Sequence, residues 1–180
     1  MKYDVLKSVV RFREFGQRNA DLFISEMEKN EYKISRVYRA DKGYGDDGLH
    51  SNIRHSYQIG TPSSHPYIRD AARAVRFANE DFFKTNIPEE MYCVENSLLK
   101  YPETGHFEPH IDILWPKQIG NADTRSNYVR KLSSIIIMND PSEYEGGELA
   151  FWNDNEQYRV DIRKGDLFVF PSYVRHVVRP

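Results

Sequence analysis

The sequence contains a single cysteine and no long apolar run, and both scarcities narrow the possible functions. Of the 180 residues only Cys93 is a cysteine, which excludes an intramolecular disulfide and a cysteine-based zinc site. No stretch approaches the roughly 18 apolar residues of a membrane span. The first residues, Met1 to Phe12, also lack the apolar core of a signal peptide. We therefore expect a cytoplasmic protein that is not inserted in a membrane.

The sequence also has little net charge, because 25 basic residues nearly balance 27 acidic ones and leave a net charge of −2. Without a basic excess, a nucleic acid is not an expected partner. Aromatic residues are plentiful at 13%, and they favour the half-buried surfaces of β-sheets. A chain of this length can form one domain with a core. We predict a single domain over residues 1–180 of the α+β class, mainly β.

The residue patterns in the first half of the chain are mainly those of helices and loops. The apolar spacing from Asn19 to Asn30 predicts a short amphipathic helix, and the alternation from Lys33 to Ala40 predicts a strand. Asp41 to Gly48 is rich in glycine and aspartate, which is typical of an exposed loop. A longer helix is predicted from Pro66 to Thr85, since proline suits a first helical turn. Residues 1–90 are thus predicted to form a helical buttress with loops.

After residue 90 the pattern changes to short strand-like segments separated by turn residues. Such a succession is typical of a sandwich or jelly roll. Residues 91–180 are therefore predicted to form a double-stranded β-helix, a cupin-like jelly roll, with the N-terminal helices packed against it. The predicted strands are Met91–Leu99, His106–Ile111, Leu132–Met138, Gly147–Trp152, Gln157–Ile162 and Asp166–Phe170.

The tripeptide His110-Ile111-Asp112 is the main candidate for chemistry. Residues two apart in a strand project to the same face, so this imidazole and this carboxylate share one space. His176, which follows the predicted strand Asp166–Phe170, is the best candidate for a third ligand. Two histidines and one carboxylate bind one face of an Fe(II) octahedron and leave its other positions open. Taken alone, a His-x-Asp pair is equally compatible with a hydrogen-bonded pair on the surface.

Four segments, in order, resemble the prolyl 4-hydroxylase branch of the 2-oxoglutarate/Fe(II)-dependent dioxygenase superfamily. Tyr101–Asp112 resembles the first metal-binding motif of that family, and Arg130–Asn139 resembles its next core strand. Glu145–Leu149 is similar to its Gly-Gly-x-Leu turn. Lys164–Ser172 followed by His176–Val178 resembles its second metal-binding motif. Together these segments cover a little under half of the chain, and their combination is specific although no single segment is.

The resemblance implies roles for five residues. His110, Asp112 and His176 would be both the metal ligands and the catalytic residues. Tyr101 and Ser133 would contact the co-substrate 2-oxoglutarate. The implied reaction consumes dioxygen, converts 2-oxoglutarate to succinate and carbon dioxide, and hydroxylates an unactivated C–H bond, with ascorbate as an optional reductant. The implied substrate is a prolyl residue of a peptide or protein, and a free amino acid is the alternative.

The chain departs from the family pattern after the second metal-binding motif. Relatives carry a Lys or Arg nine or ten residues beyond the distal histidine, where it pairs with the far carboxylate of 2-oxoglutarate, whereas this sequence ends at Pro180. The jelly roll is therefore predicted to lack its last strand, and a shortened sequence is the preferred explanation. If another cation substitutes, Arg179 is the predicted co-substrate ligand, with Arg175 and Lys131 as alternatives.

The sequence leaves two alternative functions and the role of one further residue undecided. A cupin-like binding domain without turnover would explain the missing cation. A metal oxygenase or isomerase with the same ligands but no 2-oxoglutarate is the other possibility. By the same resemblance, Asn52–Gly60 could form a strand over the mouth of the site from which Arg54 reaches the substrate. A solvated strand edge is equally compatible with that segment.

Overall fold

A computed structural model describes residues 2–17, 19–37, 52–92, 95–113 and 129–180. Two α-helices, α1 (Ala20–Met27) and α2 (Pro66–Ala78), lie in the first half, and a π-helical turn, Asn79–Phe83, extends α2. The strands are β1 (Tyr3–Leu6), β2 (Val9–Phe12), β3 (Lys33–Ile34), β4 (Arg54–His55), β5 (Tyr57–Gly60), β6 (Ser97–Lys100), β7 (His106–His110), β8 (Leu132–Ile136), β9 (Leu149–Asn153), β10 (Glu156–Arg159), β11 (Leu167–Pro171) and β12 (His176–Val178).

Two antiparallel sheets face each other and enclose the main core. One sheet has the strand order β1-β2-β11-β8, and the other has the order β10-β9-β12-β7-β4. The apolar side chains of alternate residues meet between them, as expected when two sheets pack face to face. The buried residues of this core are Val9, Leu149, Phe151, Phe168, Phe170 and Val174. Strand β11 is buried along its whole length because its other face is covered as well.

Helix α2 covers the outer face of the β1-β2-β11-β8 sheet. Ala74, Val75 and Ala78 on the helix pack against Val10 and Phe12 of β2 and against alternate residues of β11. Small side chains at positions four apart let the helix approach the sheet closely. The helix begins as its sequence predicts, with Pro66 in the first turn and the His65 side chain accepting the Tyr67 N–H at 3.1 Å.

A third antiparallel sheet, β3-β5-β6, adjoins the sandwich. Strands β4 and β5 are separated only by the buried Ser56, yet β4 pairs with β7 in the sandwich and β5 pairs with β6 in the third sheet. A third apolar cluster links the two helices to β6 through Phe23, Met27, Tyr67 and Leu98. This short connection places β4 at the edge of the sandwich, beside the strand that carries His110.

The observed sheets confirm the mainly β, antiparallel character predicted from the sequence. The predicted strands agree with β7, β8, β9, β10 and β11 to within a few residues. Two predictions were wrong in extent: the strand predicted from Met91 begins only at Ser97, and the strand predicted from Lys33 ends at Ile34. The predicted loop Asp41–Gly48 and residues 38–40 lie outside the described residues.

Residues 1–90 contain more than helices and loops, because five strands lie in their described part. The hairpin β1–β2 is the most important omission, since β2 pairs with β11 and is integral to the sandwich. The predicted helix that starts at Pro66 keeps α-helical geometry only as far as Ala78. In the described part of the chain, no helix has the length and apolar character needed to cross a membrane.

Candidate metal centre

The three candidate ligands come together because β7 and β12 are paired neighbours. In the antiparallel register, His176 of β12 stands directly opposite His110 of β7. Asp112 follows two residues after His110, and its backbone N–H donates to the Ser172 carbonyl oxygen at 2.8 Å. That hydrogen bond ties the segment after β7 to the connection between β11 and β12. Two strands and one backbone contact thus fix three side chains that are distant in sequence.

A β-bulge in β7 sets the direction of the His110 side chain. Between the pairs His110↔His176 and Phe107↔Val178, β7 uses three residue steps where β12 uses two. The extra residue makes Phe107 and His110 share a face, although residues three apart in a regular strand face opposite sides. Pro109 lies within the bulge and has no N–H to contribute to a sheet ladder. The Phe107 and His110 rings consequently stack, with centroids 3.4 Å apart.

The ligand atoms converge closely enough to bind one ion. The imidazole nitrogens and the carboxylate oxygen of His110, Asp112 and His176 all lie within 4.8 Å of one another. The Nε2 atom of His110 is 3.6 Å from Asp112 Oδ1, and the Nε2 atom of His176 is 3.7 Å from Asp112 Oδ2. His176 is almost fully buried, while the other two side chains remain partly open to the cavity. This geometry leaves one side of the cluster accessible.

Hydrogen bonds to backbone carbonyls define which nitrogen of each imidazole is available. The Nδ1 atom of His110 lies 2.7 Å from the Glu108 carbonyl oxygen, and the Nδ1 atom of His176 lies 3.1 Å from the Val174 carbonyl oxygen. A carbonyl oxygen only accepts, so both Nδ1 atoms must carry the proton. In the neutral ring the lone pair is then on Nε2, which faces Asp112. This arrangement orients metal-ligating histidines in proteins generally.

The electrostatics favour the ionisation states that a metal requires. Burial raises the pKa of the Asp112 carboxyl, but its interactions with the His110 and His176 rings outweigh burial and hold that pKa well below its usual range. Burial lowers the pKa of His176 to about 4, with Asp112 opposing the shift. At neutral pH the carboxyl is therefore ionised and the His176 imidazole is neutral. Both are in the form that binds a cation.

Further contacts hold Asp112 in place. Ser133, on β8, contributes a hydroxyl that lowers the pKa of Asp112 and also forms a 2.9 Å hydrogen bond with the Ser172 hydroxyl. The Arg130 guanidinium donates to the Asp112 backbone carbonyl oxygen at 3.3 Å and pairs with Glu95 through its other amino group. The sequence analysis assigned no role to Arg130. Its proximity to Asp112 follows from the β8–β11 register, which sequence spacing does not show.

A large open cavity of ≈ 2880 Å³ lies over the cluster. Some of the predicted co-substrate residues line it and others do not. Tyr101 and Ser133 line it together with all three ligands. Arg179 is not among the residues that line the cavity in the described part of the chain, and its guanidinium donates to Gln157 Oε1 at 3.0 Å. Arg179 as a co-substrate ligand stays a prediction. Of the two alternatives, Lys131 lines the cavity and Arg175 stacks on Trp152 instead.

The donor set fits iron. Two imidazoles and one carboxylate on one face are the ligands of the non-haem Fe(II) oxygenases, and the accessible side leaves room for further ligands. No thiolate contributes, which argues against a structural zinc site of the cysteine type. The histidine orientations and the ionised carboxyl agree with this assignment.

Comparisons with known proteins agree with the site. The sequence model of the 2OG-Fe(II) oxygenase superfamily matches residues 97–180, which include all three ligands. A PKHD-type hydroxylase of Nitrosomonas europaea is 32% identical over 135 residues, and one of Aliarcobacter butzleri is 26% identical over 134 residues. Those alignments cover 72% of this chain but only 56% and 55% of the relatives, so the chain spans about half of their length.

Solved structures with the same fold are prolyl hydroxylases. A prolyl-4-hydroxylase of Pseudomonas putida superposes with a TM-score of 0.66 at 18% identity, covering 97% of this chain and 86% of that one. A viral collagen prolyl hydroxylase of Paramecium bursaria Chlorella virus-1, solved with 2OG, gives a TM-score of 0.61 at 15% identity, covering 96% and 88%. Residues 97–180 therefore match the 2OG-Fe(II) oxygenase superfamily, and the chain has the fold of these two prolyl hydroxylases.

Proposed function

We propose that the chain is an iron- and 2-oxoglutarate-dependent dioxygenase that hydroxylates a prolyl residue of a peptide or protein. The observation that carries the proposal is the convergence of His110, Asp112 and His176 within 4.8 Å at the base of an open cavity. The match of residues 97–180 to the model of the 2OG-Fe(II) oxygenase superfamily supports the use of Fe(II), 2-oxoglutarate and dioxygen. Ascorbate is proposed as an optional reductant.

The residues of this chain have separate tasks in the proposed reaction. Bound iron would supply a site where 2-oxoglutarate and dioxygen react together. The carbonyl oxygens of Glu108 and Val174 keep the two imidazoles oriented, and Arg130 and Ser133 keep Asp112 in position. Ile135 on β8 and Ile137 just after that strand provide an apolar cavity wall. Such a wall limits the access of water to the reacting groups.

The proposed substrate is a peptide or protein because of what similar proteins bind. A structurally similar prolyl hydroxylase of Trichoplax adhaerens, with a TM-score of 0.59 at 12% identity and covering 97% of this chain and 78% of that one, was solved with a hypoxia inducible factor peptide fragment. The cavity here, at ≈ 2880 Å³, has room for a peptide segment. The proposed location is the cytoplasm, since a single cysteine allows no internal disulfide.

One set of experiments tests the iron and co-substrate. The protein is purified anaerobically, loaded with Fe(II) and mixed with 2-oxoglutarate, and the weak visible charge-transfer absorption of the chelate is recorded. We expect the absorption in the wild type and its loss in His110→Ala. His106→Ala is the matched control, because His106 lies on the same strand, its Nδ1 contacts the Thr104 carbonyl oxygen, and it is not a member of the cluster.

The outcomes separate the three candidate functions. Iron binding without the absorption would favour a metal oxygenase or isomerase that does not use 2-oxoglutarate. An absence of iron binding would favour a binding domain without turnover. If the absorption is present, oxygen is admitted with ascorbate and proline-containing peptides, and succinate and hydroxyproline are measured. Succinate formation that no prolyl peptide stimulates, compared with matched alanine peptides, would contradict the proposed substrate.

A further inference from the structure

His55 and His106 form a cross-strand pair on the face of the sheet opposite to the candidate metal centre. In the β4–β7 register His55 stands directly opposite His106, and the neighbouring pair is Arg54 and Phe107. Because side chains alternate between the two faces of a sheet, Phe107 points towards the cavity and His106 points away from it. In the described part of the chain, the cavity lining includes Arg54 and Phe107 but neither histidine. The pair is therefore separate from the cluster of three ligands.

The two imidazole rings are close enough to share one ion. Their centroids are 6.5 Å apart, and the ring planes are inclined at 74°. Directly opposite residues of an antiparallel pair have Cβ atoms about 4.5–5.5 Å apart, so both side chains start close together. An ion with bonds of about 2.0–2.1 Å to one nitrogen of each ring would require the centroids to approach by only about 1 Å. Small side-chain rotations are sufficient for such a movement.

A backbone hydrogen bond already presents His106 as a ligand. Its Nδ1 atom lies 3.0 Å from the Thr104 carbonyl oxygen. Since a carbonyl oxygen only accepts, Nδ1 carries the proton, and Nε2 of the neutral ring keeps its lone pair. The same kind of hydrogen bond orients His110 and His176 in the candidate metal centre. His55 and His106 are half-buried rather than enclosed, so an ion can reach both rings from the solvent.

Glu108 offers a carboxylate on the same face of β7. Its backbone N–H donates to the Ile53 carbonyl oxygen at 2.8 Å, so the register that pairs His55 with His106 continues to this position. Residues two apart in a regular strand share a face, which puts Glu108 beside His106. Among the described residues only the His110 cluster already holds three ligand atoms together. The exposed Glu108 side chain would therefore turn towards the two rings when an ion binds.

We propose that His55 and His106 bind a second transition-metal ion, with Glu108 as the third ligand. The ligands favour Zn(II), Ni(II) or Cu(II), because imidazole suits these ions. Mn(II) and Fe(II) are at the weak end of the affinity order for such ligands, so the ion of the candidate metal centre is not expected here. An ion at this position would link the edge strand β4 to β7. The proposal does not depend on the proposed function.

Titration of Zn(II) against a chromophoric chelator tests the proposal. Zn(II) also suits the ligands of the candidate metal centre, so the wild type should bind two ions and His110→Ala, which disables that centre, should bind one. In the His110→Ala background, a further His55→Gln or His106→Gln substitution should weaken Zn(II) binding about ten-fold or more. A further Glu108→Gln substitution should weaken it less, since both imidazoles remain.

His65→Gln in the same background is the matched control. The His65 ring contacts Glu26 and accepts the Tyr67 N–H at the start of α2, so its removal should leave Zn(II) affinity unchanged. Zn(II) should also raise the melting temperature of His110→Ala, and melting of each variant without metal checks that it is folded. The increase should disappear with His55→Gln or His106→Gln. Zn(II) binding that survives both of these substitutions, that falls equally with His65→Gln, or that is absent from His110→Ala overturns the proposal.

Discussion

Metal binding should stabilise the fold measurably, because the ligands come from segments that only the folded chain brings together. His110 and His176 belong to paired strands, and Asp112 is fixed by a hydrogen bond to the loop before β12. An ion that binds only the folded state at about one hundred times its dissociation constant adds about 2.7 kcal/mol. For a chain of 180 residues this corresponds to an increase in melting temperature of about 5–10 °C.

The assay is differential scanning fluorimetry of the chelator-treated protein with and without Mn(II). Asp112→Asn keeps the size of the side chain but removes the charge, and we expect it to lose most of the increase. His106→Gln should keep all of it, since His106 lies on β7 outside the cluster. An unchanged increase in Asp112→Asn would refute the ligand assignment. A comparable loss in His106→Gln would show that Mn(II) binds elsewhere.

Three further predictions concern stability. The metal-free protein should lose up to about 3 kcal/mol of unfolding free energy as the pH falls from about 6.5 to 4. Burial lowers the pKa of His176 in the folded protein to about 4, so in this range the unfolded chain binds a proton that the folded protein does not. Urea titrations should show a flatter profile for His176→Gln. Asp4→Asn should cost about 1 kcal/mol at pH 7 by removing the carboxylate that binds Arg11. Because this pairing lowers the pKa of Asp4, wild type and variant should converge only when acid below the usual carboxyl range protonates it. Phe170→Ala, between the sheets, should cost about 3–5 kcal/mol by urea unfolding, whereas Tyr173→Ala, 68% exposed, should stay within about 0.5 kcal/mol.

The sequence predicted the strands that have a clear apolar pattern of their own. It missed a strand whose burial depends on contacts with other parts of the chain. Strand β11 is a short apolar run between turn residues, and its position was predicted to within one residue. Strand β2 is buried on both faces, and it includes Arg11, whose charge is paired with Asp4 on β1. A buried arginine interrupts the apolar pattern, so no periodicity identified the hairpin. Its recognition requires the ion pair, which only the folded structure contains.

The sequence likewise predicted only part of the candidate site. The spacing of His110 and Asp112 predicted two ligands, because both follow from the two-residue repeat of a strand. The neighbours of the site do not follow from that repeat. Arg179 was expected near the co-substrate because it is close to His176 in sequence, yet its side chain contacts β10. Arg54 is distant in sequence but reaches the cavity because β4 pairs with β7.

The bulge at Pro109 explains why two rings of β7 lie on the side of the candidate metal centre. A regular strand would turn Phe107 and His110 to opposite faces, and the Arg54 guanidinium over Phe107 would then lie away from the metal. The additional residue brings both rings to one face, so that Arg54, Phe107 and His110 form a continuous stack along the cavity wall. A proline is tolerated at this position because the bulge removes the need for its backbone N–H. One irregular residue in β7 therefore brings Arg54, Phe107 and His110 together beside the candidate metal centre.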